Sequence, residues 1–149
     1  MTKQLFTTDN NYAPLILRVV LGTIIIVHGW DKLGEGFQPF MQYFTEVLDM
    51  PAFLGWLTVF IETAACTLLV LGFATRLNAM LVFGLFLGMI FFVHWQDGFL
   101  MNWFGQMDAG EEGFEYHLLV LAMSAALFVM GSGAFSIDRY LIKTKTLAL

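Results

Sequence analysis

The sequence predicts an all-α fold: a transmembrane four-helix bundle with a short interfacial amphipathic helix between its first and second members. Three observations predict it. The 149 residues are 58% hydrophobic and 13% charged, where a soluble domain carries about 25% charged residues; mean hydropathy is +0.74. Four apolar runs, at 14–33, 52–73, 77–95 and 114–130, are each close to the roughly 20 residues that cross a hydrocarbon core about 30 Å thick. The charges between the runs are sorted by sign.

Each element has its own local reasons. Residues 1–12 are polar and read as a surface tail. Pro14 suits the first turn of a helix, where its missing N–H costs nothing. A cleaved signal peptide fits this run poorly, because the tail is not basic and no A-x-A site follows. In the loop 34–51, Phe37, Phe40, Met41, Phe44 and Leu48 recur at spacings of 3 or 4, which predicts a helix lying in the interface and ended by Pro51. Only Ala74, Thr75 and Arg76 separate the second and third runs, so these form a tight antiparallel hairpin. A second long loop occupies 96–113. Gly131, Ser132 and Gly133 end the fourth run, and a polar tail follows. The chain is one membrane domain, 1–149.

Placing both termini and the Arg76 turn on one side gathers Lys3, Arg18, Arg76, Arg139, Lys143 and Lys145 there, six of the seven basic residues. The other side holds Lys32 and most of the acids. The positive-inside rule then makes both termini cytoplasmic. Trp30, Trp56, Trp95 and Trp103 fall at the outer interface, as an aromatic belt. A net charge of −5 gives no surface for nucleic acid. No P-loop, GxGxxG or zinc pattern occurs. The lone Cys66 has no intramolecular disulfide partner.

Ionisable groups inside apolar spans are costly and face protein or water. Glu62 is the deepest. With His28, His94 and Glu115 it places one proton-exchanging group from each helix in the outer half of the bundle; these four are the candidate catalytic residues. His117 is two positions from Glu115 and is expected on a different face. Glu and His on facing helices build metal sites in bundles, but the Glu-x-x-His motif of di-iron bundles is absent and no metal ligand is assigned. The same groups suit proton exchange with a quinone, since histidine titrates near neutrality. The alternative for Glu62 is a protonated side chain bonded to a neighbouring helix. Gly55, Val59, Glu62 and Cys66 share one face of the second helix, and Gly84, Leu87, Phe91 and His94 one face of the third. Arg18, Gly22, Ile25, Gly29 and Lys32 form a protein-facing stripe on the first. Arg18 is expected to pair with Asp138. Gly84 and Gly88 form G-x-x-x-G, which permits close helix approach.

The stretches LRVVLGTIIIVHGWDKLG at 17–34, the Glu62 helix, LGFATRLNA at 71–79, VHWQDGF at 93–99, GFEYHLL at 113–119 and GSGAFSIDR at 131–139 together resemble the DoxX family of small bacterial membrane proteins. The resemblance implies a four-helix membrane bundle with recurrent positions at His28, Glu62, Arg76, His94 and Glu115. It also implies kinship with a subunit linked to thiosulfate:quinone oxidoreduction, and with relatives that act in oxidative-stress complexes or as assembly factors. The leading expectation is a quinone-facing subunit of a redox complex, with a quinone as cofactor. No flavin, haem or Fe–S motif is present, so electrons come from a partner. The rival is a non-enzymatic adaptor or assembly factor binding another membrane protein through the outer loops; metal handling is a third reading. Expected partners are the lipid membrane, a redox or other membrane protein, and a second copy of the chain.

Overall fold

A computed structural model describes residues 8–34, 36–105 and 112–147, with side chains to Thr144. The charges of Lys3, Glu35, Asp108, Glu111 and the Lys145 side chain lie outside the described residues. All regular structure among those described is helical: α1 (Tyr12–Leu33), α2 (Phe37–Gln42, continued by a π-helical segment Tyr43–Val47), α3 (Ala52–Leu71), α4 (Thr75–His94), α5 (Glu115–Met130) and α6 (Ile137–Leu147). Helices α1, α3 and α4 have 22, 20 and 20 residues and are apolar enough to cross a membrane. The fourth member, α5, has 16. At 1.5 Å per residue it is about 24 Å long, short of a 30 Å core.

The helix ends have local causes. Asn11 Oδ1 accepts from the Ala13 N–H at 2.9 Å, so α1 begins at Tyr12, ahead of Pro14. Gly72 adopts φ 68° after Leu71, and Phe73 N–H reaches back to the Leu68 carbonyl at 2.9 Å, which closes α3. Asp138 accepts from the N–H groups of Ala74 and Thr75 at 2.7 and 3.0 Å and so caps α4 from a distance. The C-terminal tail is helical rather than merely polar, fastened at its first turn by Asp138 N–H to the Gly72 carbonyl at 3.0 Å.

The short helix expected between the first two spans forms as its spacing predicts, at Phe37–Gln42 and on through Tyr43–Val47. Phe44 is buried and Phe37, Phe40, Met41 and Leu48 are half-buried, while Gln38, Gln42 and Glu46 face out.

Core packing centres on Leu21 and Ile25 of α1, Ile61, Ala65 and Leu69 of α3, Val82 and Phe86 of α4, and Val120 and Leu127 of α5. The stripe on α1 is buried from Arg18 to Gly29, with Lys32 half-buried. Close helix approach occurs here and not at the G-x-x-x-G pair. A Cβ on Gly29 would lie 2.7 Å from Thr63 Cγ2 and 2.9 Å from Glu62 Cβ; a Cβ on Gly84 would meet nothing within 4 Å. Gly29→Ala is therefore expected to push α1 off α3 and destabilise by roughly 1–3 kcal/mol, read as a lower thermal midpoint in mild detergent.

The bundle has a terminus end and a loop end. At the terminus end Arg18 is 1% exposed and does not form the ion pair expected with Asp138. Its guanidinium donates to the carbonyls of Ser132 and Ala134 at 3.0 Å each, Phe135 at 2.7 Å, and Val70. These carbonyls lie in the last turn of α3 and the turn after α5, where helix ends leave acceptors without partners. Asp138 is within electrostatic reach of Arg18, but its oxygens are spent on the start of α4.

Candidate functional site

Lys32, His28, His94 and His117 lie toward the loop end of the spans, and Glu62 joins them through Lys32. Glu62 is 2% exposed on α3. Its carboxylate accepts both hydrogen bonds of its ion pair from Lys32 Nζ, at 2.7 and 3.0 Å. The partner is thus Lys32 of α1 and not His94. Lys32 bridges two environments: its side chain is 21% exposed against 3% for Glu62, and Nζ lies 5.3 Å from the centroid of Phe40 on α2. Gly29, one turn before Lys32, lets α1 approach α3 closely enough for this pair to form.

His28, one turn before Lys32, is exposed and within electrostatic reach of Glu62. Cys66 and Tyr116 also lie within reach of it.

His94 ends α4. Its Nδ1 is 2.7 Å from the carbonyl of Glu112 and 3.6 Å from Asp97. A carbonyl only accepts, so Nδ1 carries the proton and a neutral ring leaves Nε2 as an acceptor. Its ring packs at 4.4 Å against His117, which is 6% exposed. His117 therefore joins the polar group, although its offset from Glu115 suggests a different face. His117 Nδ1 and Tyr116 Oη are buried and make no hydrogen bond to the described residues.

Glu115 does something else. It accepts from Trp103 Nε1 and from the Met101 N–H at 3.3 Å, clipping the loop after α4 to the first turn of α5. The third-helix face expected to carry the site also differs. Phe91 is 58% exposed, while the buried face of α4 runs through Asn78, Ala79, Val82, Phe86 and Ile90.

Two of the candidates sit in irregular backbone. Glu62 lies in a π-helical turn at Ile61–Ala65 and His94 in another at Ile90–His94. A π turn inserts a residue, shifts the side chains beyond it and is frequent at functional sites.

Between α2, α3 and α4 lies a cleft of about 640 Å³. Its walls are Phe40 and Phe44 from α2, Leu57 and Ile61 from α3, and Met80, Gly84, Leu85 and Gly88 from α4. Lys32, Tyr43 and His94 are its ionisable lining groups. The two glycines are the thin part of the wall and make room for the cleft. Ligand sites of this size are mostly apolar with a few placed polar groups. Among the described residues no three His, Cys, Asp or Glu side chains converge as metal ligands.

The sequence reading missed Lys32 as a site residue. The signal was present: Lys32 is the only lysine or arginine on its side of the charge map, one helical turn from His28 and on the buried stripe of α1.

These features define a helical membrane protein with a buried ion pair beside an apolar cleft. The DoxX family profile matches residues 13–95, and the chain belongs to that family. It is 30% identical over 131 residues, 88% of each chain, to the Bacillus subtilis (strain 168) protein described as "Putative oxidoreductase CatD". It is 29% identical over 129 residues, 87% of this chain and 92% of the other, to "Inner membrane protein YqjF" of Escherichia coli (strain K12). No solved structure matches.

Proposed function

We propose that this chain is a quinone-facing membrane subunit of a redox complex. The observation that carries the proposal is the 640 Å³ apolar cleft with Lys32 and His94 in its lining. The lining suits the ligand: an apolar wall for a ring and tail, the Lys32 ammonium as donor to a carbonyl oxygen, and His94 Nε2 as acceptor for a quinol hydroxyl. A quinone bound there would supply two-electron, two-proton chemistry, with electrons delivered by a partner redox protein. Glu62 orients Lys32 through their ion pair. His94, held through Nδ1, has Nε2 available for proton exchange, and Asp97 beside it connects the ring to the loop-end surface. The relative described as an oxidoreductase supports the same reading. Location in the inner membrane, with both termini cytoplasmic, is part of the proposal. The charge sorting and the inner-membrane relative support it.

A specific observation favours a second reading, the adaptor. The outer loop exposes Phe99, Leu100, Trp103 and Phe104, an apolar surface fit for another membrane protein. One experiment separates the two. Gly84→Leu fills the cleft without touching Lys32, Glu62 or His94. Organic extracts of the purified wild type are expected to contain quinone, and those of Gly84→Leu about one-tenth as much or less, with unchanged helicity. Equal quinone in both, or none in the wild type alongside a stoichiometric protein partner, would overturn the redox reading.

A further inference from the structure

The terminus end carries a second cavity, about 360 Å³, remote from the Lys32–His94 cleft. Arg139 and Lys143 line it, one turn apart on α6, with Tyr12, Phe135 and Tyr140 as its aromatic walls. We propose that this cavity binds the headgroup of an anionic phospholipid.

Four observations lead there. First, Arg139 and Lys143 have no ion-pair partner among the described residues, so both charges are available to a ligand. Second, α6 is amphipathic. Ile137, Tyr140, Leu141 and Thr144 share one side, Arg139 and Lys143 the adjacent one, the pattern of a helix lying in a membrane interface.

Third, Phe135 has φ 49° and is 79% exposed. A bulky residue in the left-handed region is strained and persists only where its surroundings hold it. Here Arg18 grips the Ala134 and Phe135 carbonyls, and the Ala134 N–H donates to the Asn11 carbonyl at 2.8 Å. The turn is held so that an aromatic ring projects outward, 6.2 Å from the ring of Tyr12.

Fourth, Tyr12 is the first residue of an apolar helix long enough to cross a membrane, so the cavity lies where a span meets the interface. An acidic peptide or a free anion would satisfy the two cations but leave the exposed aromatics in water. A phosphate headgroup with acyl chains satisfies both.

The test uses the full chain in a zwitterionic detergent, titrated separately with phosphatidylglycerol, phosphatidylcholine and glycerol phosphate, with the thermal midpoint as readout. Phosphatidylglycerol is expected to give a saturable rise and the other two almost none. Each cation at a membrane surface contributes enough that R139Q/K143Q should need roughly thirtyfold more phosphatidylglycerol for the same rise. F135A keeps both charges and should weaken binding several-fold. Arg139 is half-buried, Lys143 is exposed, and neither side chain makes a hydrogen bond among the described residues, so both variants should keep the wild-type helicity and elution volume. An unchanged titration in R139Q/K143Q would overturn the proposal. Equal action by glycerol phosphate would overturn it in favour of a soluble-anion site, and equal action by phosphatidylcholine in favour of general solvation.

Discussion

Lys32→Met is expected to destabilise the protein more than Glu62→Gln, by roughly 3 kcal/mol against about 1 kcal/mol. The asymmetry follows from burial. Lys32 is the better hydrated partner, with 21% of its side chain exposed, and its long stem can turn toward water if Glu62 is lost. Glu62, at 3%, has no such escape. Without Lys32 it must either keep an uncompensated charge or take up a proton in a tight space beside Gly29. Lys32→Met/Glu62→Leu should recover most of the loss, because removing both members of a buried pair also removes the cost of burying them. Thermal midpoints of the three variants in one detergent check this. Equal losses for the two single variants would mean that the pair is solvated. The same set separates stability from ligand binding: Glu62→Gln should retain the fold yet lose quinone, if Glu62 is what keeps Lys32 aimed at the cleft.

Arg18→Met should have the largest effect of any single substitution, roughly 4 kcal/mol or more. The guanidinium donates to four carbonyls from two segments, and its removal strands acceptors at the ends of α3 and α5. Each buried unsatisfied group costs about 1–3 kcal/mol. Arg18→Lys is not expected to rescue it. An ammonium has three donors on a tetrahedral centre and cannot span carbonyls arranged around a planar fork. The loss should also release the turn that holds Phe135, so that protease cuts first between residues 131 and 137. A protein with wild-type midpoint and protease resistance would show that water replaces the guanidinium at little cost.

Periodicity made most of the architecture legible. Apolar runs gave the long helices within two residues at each end, because membrane spans are set by length and hydropathy, which are properties of the chain itself. The Phe37–Leu48 spacing gave the short helix between α1 and α3 and its inward face. Small residues on α1 gave its packing side, since Gly22 and Gly29 are where two backbones meet. The tail after Ser136 was less legible. Its helix is short and only half apolar, and it begins where Asp138 ties it to the α3–α4 turn, 63 residues away in sequence.

The site was legible in composition but not in pairing. Sequence alone determined that Glu62, His28, His94 and Lys32 fall toward one end of the bundle, because helix direction and rise fix depth. Only the tertiary structure decided who meets whom. Helix packing buries the Ala79, Val82, Phe86 and Ile90 side of α4 and brings His117 of α5 against the His94 ring. Neither the rotation of one helix against its neighbours nor the π turns that hold Glu62 and His94 can be read from a 3.6-residue count. Arg18 went to carbonyls rather than to Asp138 for a related reason. Unsatisfied backbone acceptors at helix ends compete for a buried cation as strongly as a carboxylate does, and no residue letter announces them. The G-x-x-x-G pair shows the same limit: two glycines remove side chains from a helix face, and the fold decides whether a helix or an open cleft takes the space.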